Sequence, residues 1–124
     1  MPEIEKFLEH INKTIPKANK IFTTNGSPLK GRVLELLTRS SSVVEISLHA
    51  SRPDLHKLLT RMDNFEQIVS QIKQLISMRK NKTQPTISLV FLVTALNIED
   101  LPHFVEFAAN FGADEVFCNY MAIF

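Results

Sequence analysis

The sequence predicts an α/β fold: a parallel sheet of four strands, placed side by side in chain order and joined by helical crossovers. Three observations carry this. Four β-rich runs, at residues 20–24, 43–49, 87–94 and 115–119, alternate with stretches whose apolar residues recur at helical spacing. Parallel neighbours need a long connection between them, usually a helix, so strict alternation of strand and helix points to parallel pairing. The run at 87–94, Ile-Ser-Leu-Val-Phe-Leu-Val-Thr, is almost continuously apolar, as a strand covered on both faces should be. Crossovers in such sheets are right-handed. A helix precedes the first strand and no helix follows the last, so the chain reads as an arc cut out of something larger. It forms one domain spanning residues 1–124.

The elements follow in order. Ile4, Phe7, Leu8 and Ile11 share one helical face, and Pro16 ends that helix. The strand at 20–24 is stopped by the turn signal Asn25-Gly26. A second helix carries Val33, Leu36 and Leu37 on one side. After the strand at 43–49 comes a polar loop with Arg52-Pro53 and a helical turn around residues 55–59. The clearest helix follows Asp63, with Phe65, Ile68, Val69, Ile72, Leu75 and Ile76 on its core face. Asp63 and Glu66 have the spacing of a capping box. Arg79, Lys80 and Lys82 read as a solvated helix end, where the helix dipole favours positive charge. Asn97 fits the N-cap of the last helix, with Asp100 at its third position. That helix buries Leu101, Phe104, Val105, Ala108 and Phe111, and Gly112 stops it.

Composition narrows the function classes. The 124 residues suit a single domain with a real core. A formal net charge of +1 gives no electrostatic footprint for nucleic acid. No apolar run is long enough to span a bilayer. The acidic start, Met1-Pro2-Glu3-Ile4-Glu5, is unlike a signal peptide. Cys118 is the lone cysteine, so no internal disulfide forms, and a reducing, cytoplasmic location is expected. One cysteine also cannot hold an iron–sulfur cluster unaided. The three glycines are scattered, so there is no phosphate-binding glycine loop.

Parallel α/β folds place their chemistry in the loops after the strands. The second strand is the best lead. Side chains alternate across a strand, so Val44, Ile46 and Leu48 share one face and Glu45, Ser47 and His49 the other. If the apolar set packs on helices, the polar set points into a barrel or cleft; in an open sheet it merely faces water. Both readings stand on spacing alone. Singly, Asn25-Gly26 reads as a turn, Arg61 as a surface residue, His56 and His103 as exposed, and Cys118 as a buried structural residue. The histidines and Cys118 lack the spacing of a zinc site.

Taken together, the loops resemble those of the radical S-adenosylmethionine superfamily. Ile21-Phe-Thr-Thr-Asn-Gly26 is similar to that family's strand followed by Thr-Asn-Gly. Val44-Glu-Ile-Ser-Leu-His-Ala50 resembles its next strand, and Asp54-Leu-His-Lys-Leu-Leu-Thr-Arg61 resembles its His-x-x-x-x-Arg-Gly stretch, with Met62 in place of the glycine. The segments Leu92-Val-Thr-Ala-Leu-Asn-Ile-Glu-Asp-Leu101 and Phe107-Ala-Ala-Asn-Phe-Gly-Ala-Asp114 match its later strand, helix start and helix end. Order and spacing agree over nearly the whole chain.

The resemblance implies a TIM-like (β/α)6 partial barrel, of which this chain carries strands three to six. It implies S-adenosylmethionine and a 4Fe-4S cluster as cofactors of a full-length parent, with neither expected to bind this chain tightly. The family's Cys-x-x-x-Cys-x-x-Cys cluster motif and its Gly-Gly-Glu segment are missing, so Met1 looks like the start of a truncated gene or fragment. Ser47 and His49 would lie near S-adenosylmethionine, His49 standing where many members have Asp. Arg61 would pair with the cofactor carboxylate, and Asn25 would shape the loop beneath it. Asn97 and Asn119, at later strand ends, would be further contacts to the cofactor. No residue of this chain would be catalytic or bind metal. The parent's chemistry would be reductive cleavage to a 5′-deoxyadenosyl radical.

Two other classes stay open: a non-catalytic βα interaction module, and half of another barrel enzyme with a phosphate or sugar ligand. In each case the unpaired sheet edges predict a homo-oligomer.

Overall fold

The computed structural model describes residues 2–81 and 84–120. Helix α1 (Pro2–Thr14) is followed by β1 (Ile21–Thr24), α2 (Arg32–Ser40), β2 (Val43–Ser47), α3 (Pro53–Thr60), α4 (Phe65–Ser77) and β3 (Thr86–Val93). A 3-10 turn (Ile98–Asp100), α5 (Leu101–Phe111) and β4 (Glu115–Tyr120) complete it. The strands form one sheet in the order β1-β2-β3-β4, every neighbouring pair parallel, as the alternation of elements predicts. Among the described strands, β1 and β4 are the open edges.

Register fixes which side chains meet. Val44 pairs with Ile87 and Ile46 with Leu89, so the apolar alternates of β2 and β3 share a face. Val44, Ile46, Leu48, Ile87, Leu89 and Phe91 are all fully buried on it. Leu34 and Leu37 of α2, Ile68, Ile72 and Leu75 of α4, and Phe104 and Ala108 of α5 belong to the same core. The Phe91 and Phe104 rings meet at 4.8 Å and 58°, a tilted geometry that adds to simple burial. Glu45 and Ser47 lie on the opposite, open face of β2 and are only half-buried. The expectation of an apolar face under helices and a polar face turned away therefore holds for β2.

The turn after β1 depends on glycine. Gly26 has φ +92°, and a Cβ there would stand 2.6 Å from Ile68 Cγ2 and 3.5 Å from Ile46 Cγ2. The turn thus rests directly on α4 and β2. Gly26→Ala is expected to cost about 1–3 kcal/mol through overpacking, beyond the strain of the left-handed backbone. Urea denaturation measures this, and an unchanged midpoint would mean that the turn lifts freely off α4.

Several expectations are corrected. On α1, Leu8 is buried but Phe7 is 56% exposed, because α1 rests on the end of the layer against α2, where Arg32 and Glu9 form an ion pair at 2.9 Å. On α5, Val105 is exposed, and Phe107 turns inward instead, its ring tilted against Phe65 and edge-on to Phe111. Helix α4 starts at Phe65 with Asn64 at the N-cap position, so Asp63 and Glu66 form no capping box, and the Asn64 side chain caps nothing. Arg79 is not a solvated helix end. Its side chain is 8% exposed, and its Nη1 donates to Asp114 Oδ2 at 2.6 Å and to the Pro85 carbonyl at 3.2 Å. Lys80 is exposed, and Lys82 lies outside the described residues. Cys118 is exposed rather than buried, because it sits on the outermost strand, where five of six residues are exposed. Gly112 does end α5, in the left-handed conformation.

Candidate functional site

The C-terminal ends of β1, β2 and β3 carry two adjoining clefts. The first, of about 140 Å³, is lined by Asn25, Ser47, His56, Thr60, Met62 and Asn64, with Ser27 and Ile68. The second, of about 160 Å³, is lined by His49, Leu59, Thr60, Leu92, Thr94 and Asn97. Thr60 belongs to both.

Local structure explains each position. Asn25 Oδ1 accepts the Ser27 N–H at 3.0 Å, closing an Asx turn beside Gly26. Ser47 ends β2 on the open face, and its hydroxyl makes no hydrogen bond among the described residues. Two residues on, His49 has φ +64°, which terminates the strand. In a regular parallel ladder the residue that donates to Val90 also accepts from Leu92. Leu48 N–H does donate to the Val90 carbonyl at 3.2 Å. Leu92 N–H, however, donates to His49 Nδ1 at 2.8 Å, so an imidazole nitrogen takes the place of a backbone carbonyl. That acceptor role puts the proton of the neutral ring on Nε2.

Burial, and then the neighbouring His56 imidazole, lower the pKa of His49 below its ordinary value. The sign follows. The unfolded chain takes up the proton first, so the stabilisation from His49 is complete above about pH 6.5 and is lost progressively below it, as pH falls through the lowered value of the folded state. The urea midpoint is expected to drop between pH 7.5 and pH 5. In His49→Asn, Oδ1 can replace Nδ1 without titrating, so the drop should be smaller. Equal drops in both proteins would show that His49 is not responsible.

His56 is corrected from exposed to buried, at 3% exposure. Its Nε2 lies 2.9 Å from Asn64 Oδ1, its ring packs 5.7 Å from that of Phe65, and its Nδ1 is buried with no hydrogen-bond partner among the described residues. His103 is exposed as expected. Arg61 is the left-handed C-cap of α3 and is exposed at the rim, next to the cleft-lining Met62. Asn119 is exposed and pairs with Leu92, one strand beyond the second cleft.

Asn97 is 1% exposed and does not cap the helix with its side chain. Its Oδ1 accepts from Thr94 N–H at 2.7 Å and from the Thr94 hydroxyl at 3.0 Å. Its Nδ2 donates to the carbonyls of His49 at 3.0 Å and Leu92 at 2.9 Å. Three residues on, the Asp100 carboxylate, also buried, accepts from Ser51 N–H at 2.7 Å, the Ser51 hydroxyl at 2.6 Å and Arg52 at 3.2 Å.

The structure thus brings Asn25 and Ser47 into one cleft and His49 and Asn97 into the next. It leaves Arg61 on the rim and Asn119 a strand away. Sequence reading missed His56, Asn64 and Asp100. For His56 the signal was the His-x-x-x-x-Arg spacing to Arg61; Asn64 and Asp100 carried none that pointed to the site.

No helix among the described residues is long and apolar enough to cross a membrane. No family model matches the chain. Among curated proteins it is 31% identical over 91 residues to a protein named probable GTP 3′,8-cyclase from Methanocaldococcus jannaschii, covering 73% of this chain and 29% of that protein. Similar matches are to proteins of the same name from Saccharolobus solfataricus, 32% over 94 residues, and Saccharolobus islandicus, 30% over 94 residues, each covering 76% of this chain and 29% of the relative. The chain therefore spans less than a third of the length of these relatives.

Proposed function

We propose that this chain is part of the barrel core of a radical S-adenosylmethionine enzyme, where it supplies one wall of the S-adenosylmethionine site and is not catalytic alone. The relatives' name, GTP 3′,8-cyclase, denotes a radical S-adenosylmethionine enzyme. The observation that carries the reading is the pair of clefts at the strand ends. They join a free Ser47 hydroxyl, the Asn25 amide and a buried His56 Nδ1 that lacks a partner among the described residues. A ligand with both donors and acceptors suits that set.

In this reading Ser47 and Asn25 make polar contacts to the ligand, and His49 offers Nε2–H from the second cleft. Arg61 closes from the rim onto a carboxylate, a charge-assisted contact. Asn119 borders the site from the open face of β4. When bound, S-adenosylmethionine supplies the radical chemistry, and these residues orient it. A 4Fe-4S cluster does not fit this chain's own side chains. Its one cysteine is exposed on β4, and the described residues hold no group of metal-binding side chains. Cluster ligands would come from other polypeptide, and the open edges of β1 and β4 are where further strands or a second copy would complete the wall.

Calorimetric titration of S-adenosylmethionine into the full-length protein tests this. Arg61→Ala is expected to weaken binding about tenfold or more, from the loss of about 1.5–3 kcal/mol. Ser47→Ala should weaken it less, and both should melt like the parent. Saturable binding that neither change affects would remove these residues from the site.

A further inference from the structure

The two clefts share one support. Asn97 reaches from the loop after β3 to the carbonyl of His49 at the end of β2. The same amide binds the Leu92 carbonyl and both Thr94 donors at the end of β3. Leu92 N–H returns across the gap to His49 Nδ1. Asp100, on the same loop, grips Ser51 and Arg52 just beyond His49. Two loops at the mouth are thus joined side chain to backbone, at a point where the regular ladder between β2 and β3 has stopped.

We infer that Asn97 is the positioning residue of this mouth: it clamps the ends of β2 and β3 together and so fixes the His49 ring with Nδ1 occupied and Nε2–H left for the cleft. The amide has no capacity spare for a ligand, since its oxygen accepts twice and its nitrogen donates twice. Its effect on a ligand therefore passes through His49. The groups that face His49 are Leu59 and Thr60 of α3, Leu92 and Thr94 of β3, Asn97 itself, and the His56 imidazole. None of these carries a fixed charge. The charged groups on the adjoining segments are Arg52, which pairs with both Asp54 and Asp100 beyond Ser51, and the exposed Arg61 directly after Thr60.

This inference rests on the S-adenosylmethionine reading only for its ligand arm, and the experiment separates the two. Hydrogen exchange at the Leu92 amide is measured in the unmutated chain across the titration of His49. Protection is expected while the ring is neutral, with exchange about fivefold or more faster once it is protonated, after correction for the intrinsic pH dependence. The imidazole titration of His49 is then followed by NMR in Asn97→Ala, in the milder Asn97→Ser, and in Arg79→Met, which disturbs a buried contact at the other end of the sheet. The Asn97 variants are expected to move His49 toward ordinary histidine behaviour, and Arg79→Met should leave it in place. An unprotected Leu92 amide at neutral pH, or an equal response to Arg79→Met, overturns the clamp. Calorimetry with S-adenosylmethionine completes the test. If the unmutated protein does not bind it while the His49 response appears, the clamp stands and the functional reading fails. If it binds and Asn97→Ser leaves both affinity and His49 unchanged, the clamp fails alone.

Discussion

Ile46→Ala is expected to lower stability by about 2–5 kcal/mol, the range for emptying a large buried aliphatic position. Ile46 is fully buried, pairs across β2 and β3 with Leu89, and packs under the Gly26 turn. Because the turn, β2 and α4 all meet there, the hole has no single neighbour that can collapse into it. The adjacent Ser47→Ala removes a hydroxyl without a partner among the described residues, so it should stay within about 0.5 kcal/mol. Urea denaturation of the two variants side by side checks this. Comparable losses would mean that Ser47 is part of the core and not of the cleft wall.

Asp114→Ala is expected to cost about 3 kcal/mol, the lower end for breaking a buried ion pair, since Asp114 keeps 28% of its side-chain surface. The change strands the Arg79 guanidinium, whose Nε is already buried without a partner among the described residues. It also removes the acceptor for Ile87 N–H, bonded at 2.8 Å at the start of β3. The exposed pair of Arg39 and Glu35 offers a contrast: Arg39→Ala should change stability by no more than about 1 kcal/mol. Arg79→Met combined with Asp114→Leu should recover part of the loss, since it leaves no charge behind. If Asp114→Ala costs no more than Arg39→Ala, solvent screens the Arg79 contact and the argument fails.

The difference between Ile46 and Arg79 also shows what the sequence made legible. The faces of β2 could be read because alternation is a local signal with a period of two, and α4 because its apolar stripe runs over three turns. Arg79 could not be read, because its partner is 35 residues away and only folding brings them together. His56 looked like a polar residue in a polar loop. It is buried because α3 folds back on the start of α4, where Asn64 and Phe65 receive it. Asn64, in turn, spends its side chain on that histidine and leaves the helix end uncapped. Asn97 had the right type and place for a cap, but its reach to His49, across 48 residues, belongs to the packing of two loops. Of the candidate site, the strand-end residues Asn25, Ser47 and His49 were visible from topology. The residues that hold them in place were not.

The strand order has a consequence during synthesis. Among the described strands, each pairs only with those immediately before and after it in the chain. As the polypeptide leaves the ribosome, every new strand meets a sheet whose growing edge is its one earlier partner, and no strand waits for a distant segment still to be translated. The sheet can be laid down in the order of its codons, one βα step at a time, which limits how long any apolar strand is left without a mate.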